Sequence, residues 1–195
     1  MPMEIELKIR LEDLGGLRAS LRPAGAIFEG RILERNWLYD HPERRLAHAD
    51  KLLRLREDRQ VHLTFKGPRQ QSTYKEREEL ELEFPDTSSA RSLLEAVGFV
   101  KWFYYEKIRE TWRLGSCEVV LDELPELGLF VEIEAPTREE IEKVIKQLRV
   151  SRDHIASTYV EMLYEFSRQV DKPMQEFKFS PQHKSVLATD ENESM

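Results

Sequence analysis

The chain has 195 residues, 34% of them charged and 40% hydrophobic, with a formal net charge of −7 at pH 7. That length suits one domain with a sizeable core. No apolar run approaches the roughly 20 residues of a membrane-spanning helix, and the acidic balance argues against general binding to nucleic-acid backbones. Cys117 is the only cysteine, which excludes an intrachain disulfide. Together with an N-terminus that runs straight into a strand pattern, it points to the cytoplasm.

Residues 3 to 9 alternate, sending Glu4, Glu6 and Lys8 to one face and Ile5, Leu7 and Ile9 to the other. Asp13 is placed to cap a helix running to about Leu21, closed by Pro23 and Gly25. Residues 26 to 40 read as a long extended stretch, and His41-Pro42 as a turn. Residues 51 to 57 set Arg54 and Arg56 against Leu53 and Leu55. Residues 61 to 66 then set His62, Thr64 and Lys66 against Val61, Leu63 and Phe65, with Asp58-Arg59-Gln60 as the hairpin between. From 74 to 84, Lys75, Arg77, Glu79, Glu81 and Glu83 share a face opposite Leu80, Leu82 and Phe84. Thr87 or Ser88 is the expected cap of a helix ending at Gly98.

Residues 103 to 114 place Lys107, Arg109, Thr111 and Arg113 opposite Ile108 and Trp112. Gly115-Ser116 turns the chain into a strand over 117 to 122 that ends on Asp122, and residues 129 to 135 carry Glu132 and Glu134 on one face. Pro136-Thr137 opens a helix with apolar positions at Ile141, Val144, Ile145 and Leu148. A final helix contains Ile155, Tyr159, Met162, Leu163 and Phe166. Residues 1–168 are thus expected to form one domain. Residues 169–195, polar and aperiodic, are expected to be a disordered tail, with Phe177 and Phe179 its candidates for docking on the body or on a second subunit.

About eight strands joined mostly by hairpins, with helices to cover their apolar faces, make an α+β protein built on an antiparallel sheet. The charged faces then lie either in open solvent or inside a closed sheet, and periodicity does not choose between the two. Enclosed, such charges demand water, cations and an anionic ligand, because an unpaired buried charge costs several kcal/mol. Carboxylates suit a hard divalent cation such as Mg²⁺ or Mn²⁺, and Arg and Lys suit phosphate oxygens. Trp37, Tyr39 and Trp102 read as core aromatics ahead of stacking platforms, and His41, His48 and His62 suggest no metal site of their own.

The ordered series Glu4-x-Glu6-x-Lys8, Arg54-x-Arg56, Lys66 in LTFKGP, Arg77, Glu79 and Glu81 in KEREELELEF, Lys107 and Arg109 in EKIRE, and Asp122, Glu132 and Glu134 in LDELPELGLFVEIE resembles the CYTH group. These triphosphate tunnel metalloenzymes include class IV adenylyl cyclases and thiamine triphosphatases. The segment HPERRLAHADKLLRLRED and the ending ASTYVEMLYEF are most similar to the class IV cyclase-like proteins of bacteria and archaea. The resemblance covers residues 1 to about 167. It implies an eight-stranded antiparallel β-barrel tunnel with helices packed outside, which binds a triphosphate-containing small molecule and requires Mg²⁺ or Mn²⁺.

Carried over by position, the metal ligands are Glu4, Glu6, Glu132 and Glu134, with Glu81 and Asp122 as helpers. The triphosphate-binding set is Lys8, Arg54, Arg56, Lys66, Arg77, Lys107 and Arg109. Lys8, Glu4 and Glu6 are the residues placed nearest the chemistry, Lys8 as a proton handler or as an electrostatic anchor. A triphosphatase acting on inorganic triphosphate, a nucleoside triphosphate or thiamine triphosphate is the first reading. An adenylyl cyclase making cyclic AMP and pyrophosphate from ATP is the second, and a non-catalytic polyphosphate or nucleotide binding module the third. Neither nucleic acid nor a membrane is an expected partner. A homodimer is compatible with the resemblance, although the sequence names no interface.

Overall fold

The computed structural model describes residues 3–70, 75–151, 153–170 and 176–184, with backbone alone at 3, 4, 75 and 76. Strands form where alternation marks them: β1 (Met3–Leu11), β2 (Ile27–Asp40), β3 (Leu52–Glu57), β4 (Val61–Lys66), β5 (Lys75–Phe84), β6 (Val100–Leu114), β7 (Cys117–Leu124) and β8 (Gly128–Ala135). They pair antiparallel in the order β2-β3-β4-β5-β1-β8-β7-β6, and β2 also pairs with β6. The sheet therefore curls into a barrel whose two outermost strands satisfy each other's backbone groups. Register fixes the lumen. Lys8 faces Glu132 across the β1–β8 ladder and Glu6 faces Glu134, so charged positions of one parity from neighbouring strands share one surface.

The outer face is covered by α1 (Gly15–Leu21) and α4 (Arg138–Leu148) on one side and by α3 (Thr87–Ala96) on the other. Leu21, Val119, Val131, Ile133 and Ile141 are fully buried between β1, β7, β8 and the first two helices. Leu55 and Tyr39 form the second layer, packed with Ala90 of α3. Each such large aliphatic contributes about 1.5–3 kcal/mol through burial. A third cluster, built from Leu38, Phe103, Phe130 and Leu124, fills one end of the barrel beneath α5 (Tyr159–Gln169).

Local chemistry moves several boundaries. The α3 cap is Asp86, whose carboxylate accepts from Ser89 N–H at 2.8 Å, rather than Thr87 or Ser88. Helix α1 begins after Leu14 with no side-chain cap; Asp13 accepts from Gly16 N–H at 3.3 Å instead. The turn at His41 continues into a short helix, α2 (Arg45–His48). The buried Asp40 carboxylate organises it by accepting from the N–H groups of His41, Leu46 and Ala47 at 2.7, 2.9 and 3.1 Å.

Ile155 stays outside α5. Its N–H donates to the Lys8 carbonyl at 2.7 Å, beyond the four residues, Met3–Glu6, over which β1 pairs with β5. The helix itself starts at a capping box between Thr158 and Glu161. Helices do not cover the whole outer surface: Leu80 and Leu82 on β5 are 47% and 54% exposed. Within the expected disordered tail, Glu176–Phe177 forms a short strand, β9, against β6, and Phe177 is fully buried.

Candidate active site

The barrel encloses a cavity of about 300 Å³ lined by Glu6, Lys8, Arg54, Arg56, Lys66, Arg77, Glu79, Glu81, Lys107, Arg109, Glu132 and Glu134. Both signs line the wall, and three of its carboxylates gather where two strands meet. β1 and β8 are neighbours and bring Glu6, Glu132 and Glu134 together, with a carboxylate oxygen of each within 4.8 Å of the others. β3 stands across the barrel from β8 and presents Arg54 and Arg56, with Lys66 and Arg77 on the adjoining β4 and β5.

Three clustered carboxylates, two of them buried, repel one another unless a cation intervenes. The Lys8 ammonium answers part of that demand, lying 3.1 Å from Glu132 and 3.6 Å from Glu6, donating to the Ser157 carbonyl at 3.2 Å and sitting 3.9 Å over the Tyr159 ring. So many fixed contacts give Lys8 an anchoring and charge-balancing place in the site. An all-oxygen donor set of this size fits a hard divalent ion.

Lys107 and Arg109 are held from behind. Arg109 donates to Asp122 at 2.6 and 2.8 Å and also bonds Glu132; Lys107 lies 3.3 Å from Asp122 and 3.2 Å from Glu34. Burial by itself would raise the Glu34 carboxyl, but Lys107, Arg109, Arg56 and Arg54 outweigh it and hold the group down at about 2. Burial, with Asp122 and Glu132 nearby, pushes the Tyr159 phenol well above its ordinary range, so it stays a donor, to Asp122 at 3.0 Å.

Most of the other basic groups have protein partners as well. Lys66 pairs with Glu79 at 2.8 Å, Arg56 lies 3.2 Å from Asp58 and 3.7 Å from Glu81, and Arg77 donates to the Asp50 carbonyl at 3.0 Å. The buried Arg54 Nε has no hydrogen-bond partner among the described residues.

Two expected metal helpers sit apart from the triad. Asp122 is wholly buried behind Arg109, its oxygens taken by Arg109, Lys107 and Tyr159. Glu81 accepts from Thr64 at 2.8 Å and faces His62 at 3.1 Å and Arg56. Glu4 lies on β1 opposite Arg77, and its side chain is outside the described residues.

Glu34, Tyr105 and Tyr159 belong to the site region without having been singled out from sequence. Glu34 carries no clean parity signal, because its own face of β2, with Ile32, Asn36 and Leu38, mixes apolar and polar positions. Tyr159 carries no such signal, since an apolar helix position reads as core.

Comparison with known proteins places the chain. A protein of Methanocaldococcus jannaschii, provisionally named an adenylate cyclase, is 28% identical over 171 residues, covering 82% of this chain and 98% of its own length. A Vibrio parahaemolyticus structure provisionally given the same name superimposes with TM-score 0.75 at 26% identity, covering 83% of this chain and 98% of that one. A Hippeastrum structure, described as an adenylyl cyclase candidate with a dominant triphosphatase activity, has TM-score 0.64 at 20% identity, covers 83% and 94%, and shares the fold. The model of the CYTH domain matches residues 2–159, and with the barrel and its charged lumen this makes the chain a member of the CYTH family.

Proposed function

We propose that the chain is a divalent-metal-dependent enzyme that binds a triphosphate in the barrel cavity and hydrolyses it, with Mg²⁺ or Mn²⁺ held by Glu6, Glu132 and Glu134. The observation that carries this reading is a carboxylate triad on β1 and β8 set across one cavity from arginines on β3. A bound ion supplies Lewis-acid neutralisation of phosphate oxygens. The protein's own groups do the remaining work. Arg54, Arg56, Lys66 and Arg77 bind and orient the phosphate chain, Arg by bidentate forks and Lys as point charges. Lys107 and Arg109, already fixed by Glu34 and Asp122, offer positive charge that need not reorganise when charge develops at phosphorus. Lys8 holds Glu6 and Glu132 in register with one another. The lone, buried Cys117 fits the cytoplasmic location included in this proposal.

One observation favours a substrate with an organic head group, which the second reading, cyclisation of a nucleoside triphosphate, requires. A pocket of about 580 Å³ lined by Tyr39, Arg44, Trp102 and Tyr164 shares Leu52, Arg77, Thr158 and Val160 with the charged cavity, leaving room for an organic head group beside the phosphates. Incubating the purified chain with tripolyphosphate and with ATP, in Mg²⁺ or Mn²⁺, and resolving the products separates the two. Orthophosphate release supports the phosphohydrolase, and cyclic AMP with pyrophosphate supports the cyclase. No product from either substrate with either metal overturns both.

A further inference from the structure

The chain continues beyond the matched domain, and the described part of that continuation returns to the barrel. β9 pairs in parallel with β6 opposite Tyr104 and Tyr105, whereas β7 takes up β6 only from Ile108 onward. The segment thus occupies the stretch of β6 that β7 leaves open. Phe177 is fully buried, its ring 5.5 Å from Phe103 on β6 and 6.2 Å from Phe166 on α5.

Glu106 grips the same segment. It is 2% exposed, and its carboxylate accepts from Phe179 N–H at 2.9 Å, from the Lys184 ammonium at 2.6 Å and from the Tyr104 hydroxyl at 2.9 Å. Two of those three donors come from residues 176–184. Withdrawing them would cost the Glu106 carboxylate two of its three donors. Further ties run from Lys101 to Glu176 at 2.8 Å and from His183 to Glu123 at 2.9 Å.

Helix α5, which the segment braces through Phe166, is also the element that presents Thr158, Tyr159 and Val160 to the charged cavity. We propose that Glu176–Lys184 is an intramolecular strap holding α5 against the end of the barrel, and that Glu106 is a positioning residue acting through it. Triphosphate affinity then depends on the strap although none of its described residues lines the cavity. This inference rests on the triphosphate reading above.

The test uses the full chain, with tripolyphosphate and Mg²⁺ as the probe, calorimetry for affinity and amide hydrogen exchange for the strap and α5. Because coupling between two sites is reciprocal, tripolyphosphate is expected to slow exchange in 176–184 and in α5 of the unmodified chain, a readout that needs no variant. Glu106→Gln and Phe177→Ala are expected to speed exchange in both segments and to weaken the Kd for tripolyphosphate by roughly five- to tenfold. β7 and β8 should keep their protection. If Glu106→Gln does not fold, Lys184→Ala removes one of the same contacts at lower cost and is expected to act in the same direction. Strap exchange indifferent to saturating tripolyphosphate, or variants with a loosened strap and unchanged Kd, overturns the inference. An unmodified chain that does not bind tripolyphosphate at all overturns the functional reading itself.

Discussion

Two groups of cations share this lumen and are treated differently by the fold. Lys107 and Arg109 are locked against Asp122 and Glu34, both of which are almost inaccessible to solvent. Arg54 and Arg56 on β3 face the cavity, Arg56 paired with the less deeply buried Asp58 at 3.2 Å and the buried Nε of Arg54 lacking a hydrogen bond among the described residues. Under the proposed function the difference separates scaffold from grip: Lys107 and Arg109 also hold the barrel's shape through buried carboxylates, while the under-satisfied Arg54 is the more available to an anionic ligand.

The contrast is broken most directly at Asp122. Asp122→Ala leaves Arg109 buried without its main partner and Lys107 without one of its two, so chemical denaturation should show a loss of about 3–5 kcal/mol. A loss below about 1 kcal/mol, in the range of an ordinary surface substitution, would remove the scaffold label from this knot. Glu34 sharpens it through pH. Its folded pKa of about 2 lies below the ordinary 4.5, so its contribution is fully present above pH 4.5 and disappears as pH falls toward 2. That contribution is on the order of 3 kcal/mol. Unfolding measured across that window should show a steep loss in the unmodified chain and a shallower one in Glu34→Gln. The smallest expected stability effect lies across the barrel. Arg56→Ala should barely move the unfolding midpoint yet weaken tripolyphosphate binding roughly 10- to 100-fold, the value of a charge-assisted hydrogen bond of about 1.5–3 kcal/mol. Outright unfolding of Arg56→Ala would make the two groups alike.

Much of the wall was legible because alternation runs through β1, β3, β4, β5 and β8, putting Lys8, Arg54, Lys66, Arg77 and Glu132 each on the charged face of its strand, and the family resemblance joined those faces into one surface. What alternation omits is depth. Asp122 has the correct parity, but its register opposite Arg109 consumes its oxygens, and register is a property of the paired strand. Glu34 was hidden because the β2–β6 ladder shifts between Phe28 and Gly30, where Gly30 takes φ of 148°, so no single parity runs through the strand from its start. The α2 helix depends on the Asp40 carboxylate reaching N–H groups up to seven residues on, a pattern with no periodic trace. Docking of Phe177 follows from a gap beside β6 that exists only once β7 has ended.

The pairing of β1 with β8 joins the first barrel strand to the last. Glu6 comes from one end of that span and Glu132 and Glu134 from the other, so the triad is absent from any shorter piece of the chain and arises when the two extremities meet. Contacts so distant in sequence form slowly, since the closing loop must first surrender its entropy. An ion captured there would bind the completed barrel and not its precursors, and would shift the population toward completion by mass action.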